Sequence, residues 1–470
     1  MTRFTSRRRL LASATAALAI SLSACSGGGG VTVNGSSGGG GGTAVTTQAV
    51  TRWSSFVIDL MSELEIAGPI EARSFAMAFI GAHDALNSIS PRYARYAVSS
   101  SLNQSSANPD AAVAAAMYTV LKNELNATRS GWKLGFDYAT KLAELDARYQ
   151  SELAGIADGN AKTLGISIGT TAGNAIIARR ANDGMGAALS KAYSAPTTTG
   201  YYQITPDYAE AGNSAQKPFA VGWGDVTPFA MASVGVYALP RPYGSSSNAE
   251  AVQAPEYLTD YKEVKAKGST LDCGDAANQP GVCRTADEKD YANFWYENSS
   301  TTWLRLAIGI ANNRSMNDWD KARMYALLEM AMSDASVASL YVKYTYQFWR
   351  PITAIRTADD GNASTTPDAA WSALIITPPW PDYASVHTGC GSAAAAVLRG
   401  VLGSDTISFS ASSTTLSGKV RNYTSLTQAE TENGNSRIYV GFHFRRAVTD
   451  SMTQGNNIGD MTFKTKLTAL

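Results

Sequence analysis

From Val50 onward, apolar residues recur at helical spacing in one segment after another, and no stretch alternates convincingly over a strand length. This regularity constrains the fold most, because segments with a 3.6-residue period bury their apolar stripes only against one another. Trp53, Val57, Leu60, Met61 and Leu64 mark the first such stripe. Glu71 to Ile89 carries Phe75, Ala78, Phe79, Ala82 and Leu86 on one face. Ala111–Leu125, Gly135–Leu153 and Ala161–Ala181 are rich in strong helix formers. Helical patterns return at Ala249–Ala266, Ala286–Glu297, Trp303–Ala311, Lys321–Ala335 and Ser336–Trp349. Between Gly184 and Gly244 the pattern breaks into a run of Gly, Pro, Tyr and Thr, too long for a plain connection. The reading is an all-α helical bundle with a long irregular middle segment, ordered as a wrap or lid. The sequence shows no short fixed-period repeat, and two bundle halves are compatible with it.

The folded domain is expected over residues 50–470. Residues 1–24 read as a targeting segment: Arg7-Arg8-Arg9 is a charged start and Leu10–Leu22 an apolar run too short for a membrane span. Leu22-Ser23-Ala24-Cys25 then resembles a bacterial lipobox, implying cleavage before Cys25 and lipidation of its thiol. The arginines fit a twin-arginine signal or an ordinary secretory start. Ser26 after the cysteine leans toward the outer membrane, on the periplasmic side. Residues 25–49, rich in Gly, Ser and Thr, read as a flexible tether. Lys+Arg and Asp+Glu both number 39, and no basic tail appears, so nucleic-acid binding has no electrostatic support.

Cys273 and Cys283 bracket a turn-rich loop and are expected to pair in an oxidising compartment; the bland alternative is two free thiols. Cys390 reads as a small packing residue.

Three segments carry the chemistry: KYTYQFWRP from Lys343, PWPDYASVHTG from Pro379, and SRIYVGFHFRR from Ser436. Two of the chain's three histidines, His387 and His443, fall within them. Lys343 and Arg350, seven residues apart, would emerge on one face of a helix that Pro351 ends. Two cations among aromatic residues, with no carboxylate interleaved, call for an anion. Ser385 and His387 precede the alanine-rich helix Ser392–Leu398, whose first N–H groups suit an oxyanion. Arg437 and His443 are not on one helical face, and Gly441 between them would provide the bend. Taken singly, each histidine reads as a capping or core residue. Together with the cations and Ser385 they describe a tetrahedral-oxyanion pocket with an acid/base group and a nucleophile or ligand. Arg445 and Arg446 read as surface or supporting residues, and His83 as a packing residue outside this pocket.

These segments resemble the vanadium-dependent haloperoxidase and type 2 phosphatidic acid phosphatase superfamily, whose pattern is K-x6-RP, PSGH and SR-x5-H. Lys343, Arg350-Pro351, Ser436-Arg437 and His443 match; in the middle motif Ala384 and Val386 stand where the family has Pro and Gly. The catalytic core would then span about 300–470. Gly222–Phe229, Pro240–Pro242, Tyr261–Lys265 and Met77–Asn87 resemble further segments of soluble bacterial haloperoxidase homologues. The resemblance implies that Lys343, Arg350 and Arg437 neutralise vanadate oxygens, with Ser385 and the N–H of Val386 bonded to them. It makes His443 the vanadium ligand, His387 the acid/base and Trp380 the aromatic on the halide side. Hydrogen peroxide would then oxidise a halide at the histidine-ligated vanadate. On the same residues a phosphatase reading needs no cofactor: His443 attacks a phosphate ester through a phosphohistidine and His387 serves the leaving group. A non-catalytic oxyanion-binding lipoprotein is the third possibility. Nothing in the sequence sets the oligomeric state.

Overall fold

The computed structural model describes residues 47–64, 66–99, 104–127, 138–194, 196–213, 218–270 and 283–470. All of these lie in one unit, Val45–Leu470. The targeting segment, Cys25, most of the tether and Cys273 lie outside the described residues.

The first half is built from α1 (Ala49–Ser62), α2 (Gly68–Ile89), α3 (Pro109–Ala127), α4 (Tyr138–Ala154) and α5 (Asn160–Arg180). α2 is buried on nearly every face, its polar residues Glu71, Arg73, Asp84 and Asn87 included. Among its described residues the irregular segment holds only the short helices α6 (Met185–Ser190) and α7 (Pro206–Tyr208) with scattered π and 3-10 turns, and α8 (Asn248–Gln253) follows it. The segment is nevertheless ordered, because other elements supply the partners its backbone lacks. The Asp334 carboxylate, fully buried, accepts the N–H groups of Phe229, Ala230 and Met231 at 2.6, 2.7 and 2.8 Å.

Then follow α9 (Pro255–Lys267), α10 (Ala286–Phe294), α11 (Ser299–Asn313), α12 (Asp318–Tyr346), α13 (Pro351–Arg356), α14 (Val386–Leu402), α15 (Leu426–Tyr439) and α16 (Arg445–Thr465). α3 pairs with α5, α2 lies on α12, α12 on α14 and α14 on α16. The last pair approaches closely: a Cβ on Gly455 or Gly459 would stand 2.2 Å from the Gly389 carbonyl or 2.3 Å from that of Ala393. Among the described residues no helix is long and apolar enough to cross a membrane.

Four expectations need correction. The helices expected at Lys321–Ala335 and Ser336–Trp349 are the single helix α12, since Asp334 and Ser336 find tertiary or local partners instead of breaking it. α12 ends at Tyr346, with Gln347 left-handed at φ 52°, so Arg350 lies beyond it. Pro351 begins α13 rather than ending a helix, at the first helical position where its missing N–H costs nothing. Pro255 divides Ala249–Ala266 into α8 and α9. The all-α reading holds except for one short antiparallel ribbon, β1 (Phe409–Ser412) with β2 (Val420–Tyr423), pairing Phe409 with Tyr423. Four-residue strands leave too little alternation to read.

Candidate active site

Helix ends and the loops beside them build the site. α15 closes in a Schellman turn: the Phe442 N–H reaches the Arg437 carbonyl at 3.1 Å and the Gly441 N–H that of Ile438 at 2.9 Å. Gly441 sits at φ 88°, and a Cβ there would lie 2.5 Å from the Gly268 carbonyl oxygen, so glycine is required twice over. The turn sets Arg437 on the last turn of α15 and His443 just past it. Ser385 caps α14, its hydroxyl taking the Thr388 N–H at 3.4 Å. Val386 and His387 thereby occupy the first turn, where N–H groups lack helical partners. As a helical residue Val386 needs no glycine-like backbone, which accounts for a branched side chain at this point of the motif.

One cavity of about 390 Å³ brings together Arg350, Trp380, Val386, His387, Arg437 and His443. Lys343 and Ser385 are fully buried beside it and do not line it. Lys343 Nζ donates to the carbonyls of Pro381 and Asp382, the latter at 2.8 Å, and so fixes the loop that carries Trp380 and Asp382. The Ser385 hydroxyl lies 2.9 Å from that of Thr388. His83 is outside, buried on α2 and 3.0 Å from Asp84. Arg445 and Arg446 are half-buried and paired with Glu263 and Asp450. Cys390 is free and buried, its thiol on the Met332 carbonyl. Cys283 is disulfide-bonded.

His443 Nδ1 donates to Asp382 Oδ1 at 2.8 Å, a partner that sequence reasoning passed over although Asp382 sits inside the second segment. With Nδ1 so engaged, Nε2 keeps its lone pair. Arg350 Nη1 donates to that lone pair at 3.0 Å and to the Phe442 carbonyl at 2.8 Å, a contact a ligand on Nε2 would displace, while Arg350 Nε holds the Trp380 carbonyl. Arg437 Nη1 holds the Trp295 carbonyl at 3.0 Å. Arg350 Nη2 and Arg437 Nε are buried and make no hydrogen bond within the protein, and the His387 ring is in reach of the Asn433 side chain.

Burial and like charge dominate the electrostatics. Burial, then Arg350, holds Lys343 well below the usual ammonium range. Burial brings Arg437 down to about 10. Burial, with Arg350, Lys343 and Arg437 behind it, holds His443 well below the usual imidazole range, and burial with Arg437 does the same to His387. Burial raises Asp382 to about 7 against the opposing pull of Arg350 and Lys343. Asp382 and Asp207 act on Arg350, while Arg437 faces Tyr296 and Arg350, and an anion in the cavity would satisfy the charge and the spare donors of both arginines. The rest of the lining is mainly aromatic or apolar, from Tyr208, Tyr296, Ile376, Pro378, Pro379 and Phe442, with Glu297, Asn298 and Thr377 as its polar members. Their scattered positions left no signal in the sequence.

Residues 323–469 match the family model of the VCPO second helical-bundle domain, a span that contains all three chemical segments. Over that span the chain is similar to the vanadium haloperoxidase superfamily. It is 33% identical over 97 residues to the vanadium chloroperoxidase of Curvularia inaequalis, covering 18% of this chain and 15% of that protein. Its fold is shared with a bacterial vanadium-dependent iodoperoxidase at TM-score 0.73 and 20% identity, over 92% of this chain and 99% of that one. A bacterial vanadium-dependent chloroperoxidase follows at TM-score 0.65 and 17% identity, over 85% and 93% of the two chains.

Proposed function

We propose that the protein is a vanadate-dependent haloperoxidase that uses hydrogen peroxide to oxidise a halide. One observation carries the proposal: in a single cavity a histidine with its Nδ1 tied to Asp382 stands beside two buried arginine nitrogens without hydrogen bonds, Arg350 Nη2 and Arg437 Nε. That donor set fits a tetrahedral oxyanion ligated by one imidazole. His443 Nε2 would hold vanadate, while Arg350 Nη2, Arg437 Nε and the first-turn N–H of Val386 would take its oxygens. Lys343 acts from behind, by fixing the 380–382 loop.

Vanadate bound there would supply Lewis-acid activation of hydrogen peroxide. His387, kept neutral by burial, is placed to accept and return a proton. Trp380, Tyr296 and Phe442 limit water around the reacting atoms. The balanced reaction is halide, hydrogen peroxide and one proton giving hypohalous acid and water.

The test is turnover of chloride, bromide and iodide with peroxide, with and without orthovanadate, beside turnover of a generic phosphomonoester. Vanadate-dependent halide oxidation is expected. Phosphomonoester hydrolysis that vanadate inhibits, without halide oxidation, would establish the phosphohistidine chemistry instead. Inertness in both assays would leave an oxyanion-binding protein. We also propose attachment to the periplasmic face of the outer membrane through lipidated Cys25, testable by labelling with a radioactive fatty acid in the wild type and in Cys25→Ser.

A further inference from the structure

α11 begins beside the cavity, yet its own N-cap residue does not cap it: the Asn298 side chain makes no such bond. The missing acceptor comes from α2. Glu71, fully buried, takes the Thr301 N–H at 3.1 Å, the Thr301 hydroxyl at 2.8 Å and the Ser300 hydroxyl through Oε1, and Asn298 Nδ2 at 3.0 Å through Oε2. A carboxylate at a helix N-terminus meets both its unpaired N–H groups and the positive end of its dipole. Asn298 Nδ2 is held a second time by the Ile66 carbonyl at 2.8 Å.

The residue so fixed between Asn298 and Ser300 is Ser299. Its hydroxyl lies 3.1 Å from His387 Nδ1 and 3.4 Å from the His387 carbonyl. A hydroxyl has one proton. The carbonyl can only accept it, so the Ser299 oxygen is left to accept from Nδ1–H. With both contacts made, the ring carries its proton on Nδ1 and a lone pair on Nε2, with the Asn433 side chain also in hydrogen-bond reach of the ring.

We infer that Ser299 and Glu71 are positioning residues for His387: Glu71 locks the start of α11, and Ser299 thereby sets which ring nitrogen carries the proton. Both lie outside residues 323–469, so the first half of the chain takes part in tuning the acid/base group. The inference rests on the role proposed for His387, but its principal readout does not.

Three histidines make ¹⁵N imidazole NMR of the whole protein, without vanadate, tractable. The wild type should show His387 as the Nδ1–H tautomer. Ser299→Ala should shift it toward the other tautomer or a mixture. Glu71→Ala should do the same from a distance, and Glu71→Gln, which keeps an oxygen acceptor for Thr301, should restore most of the wild-type pattern. Should Glu71→Ala fail to fold, Glu71→Asp replaces it, with an intermediate shift expected. With vanadate, Ser299→Ala should lose about tenfold in kcat, the worth of one orienting hydrogen bond, with vanadate affinity held within about twofold. A wild-type pattern for His387 in folded Ser299→Ala or in the folded Glu71→Ala or Glu71→Asp variant would overturn the inference, as would Glu71→Gln behaving like Glu71→Ala. Correct tautomer shifts in a protein without haloperoxidase turnover would uphold it while refuting the proposed activity.

Discussion

Replacing Asp382 by Asn sets two effects against each other and makes them separable. Asp382 is 1% exposed and accepts the His443 Nδ1 proton at 2.8 Å. Loss of a partner that orients a ligating histidine costs roughly 10–100-fold in affinity for the ligated group. The carboxylate is also a negative charge one imidazole ring from the cavity. At roughly 6–7 Å and an effective dielectric near 20, two unit charges repel by about 2.5 kcal/mol, so removing it favours any anion by up to about 70-fold. For vanadate the two effects nearly cancel. For sulfate, which forms no bond to imidazole, only the second applies. Asp382→Asn should therefore tighten sulfate binding markedly while changing vanadate binding little, so the vanadate-to-sulfate preference should fall by about 10–100-fold. Competition of sulfate against vanadate, followed by tryptophan fluorescence because Trp380 lines the cavity, measures both constants in one series. An unchanged preference would refute the argument that Asp382 orients His443 for ligation. Looser binding of both anions would show instead that the pocket had collapsed.

His443→Ala should abolish stable vanadate retention, whereas His387→Ala should keep it and lose about 10²–10⁴ in turnover; equal loss of binding in both would disprove the division of labour. Gly441→Ala should lower unfolding free energy by about 3 kcal/mol or more in urea titration, since it combines a left-handed backbone with a Cβ 2.5 Å from a carbonyl oxygen; a loss below about 1 kcal/mol would contradict this. Glu329 is fully buried, neither of its oxygens has a hydrogen bond, and burial raises its pKa well above the ordinary value. A carboxyl raised on folding costs stability as pH climbs from its unfolded value toward its folded one. Glu329→Met should thus gain about 1–3 kcal/mol at pH 8 and less at pH 5, and a larger gain at the lower pH would reverse the sign we assign. Thiol counting on the denatured, unreduced protein should find Cys390 free and Cys273 paired with Cys283; two or more further thiols would contradict the pairing.

What could be read from the sequence follows from what the chemistry demands of single residues. Lys343, Arg350, Arg437, His387 and His443 were legible because a cation or imidazole at fixed spacing is informative wherever the chain bends. The bend itself was legible at Gly441, since a left-handed turn after a helix leaves glycine as its mark. Helix count and core were legible where apolar period was strong, as in α1 and α2, and illegible in α15 and α16. Those two carry Gln, Asn, Gly and Thr on several faces, and glycines let α16 press against α14. Asp382 and Glu71 escaped for a different reason. A buried carboxylate acquires meaning only from the groups it meets, and these lie 61 residues away for Asp382 and 227 to 230 for Glu71. Spacing within a motif identifies residues that must face one ligand together. It is silent on residues that hold those faces in place, because their partners are chosen by the packing of helices rather than by the period of any one of them. The site thus divides by legibility along the line that divides contact from support: the groups expected to touch an oxyanion lie in three short segments, and those that orient the two histidines are spread between α2, the start of α11 and the loop before α14.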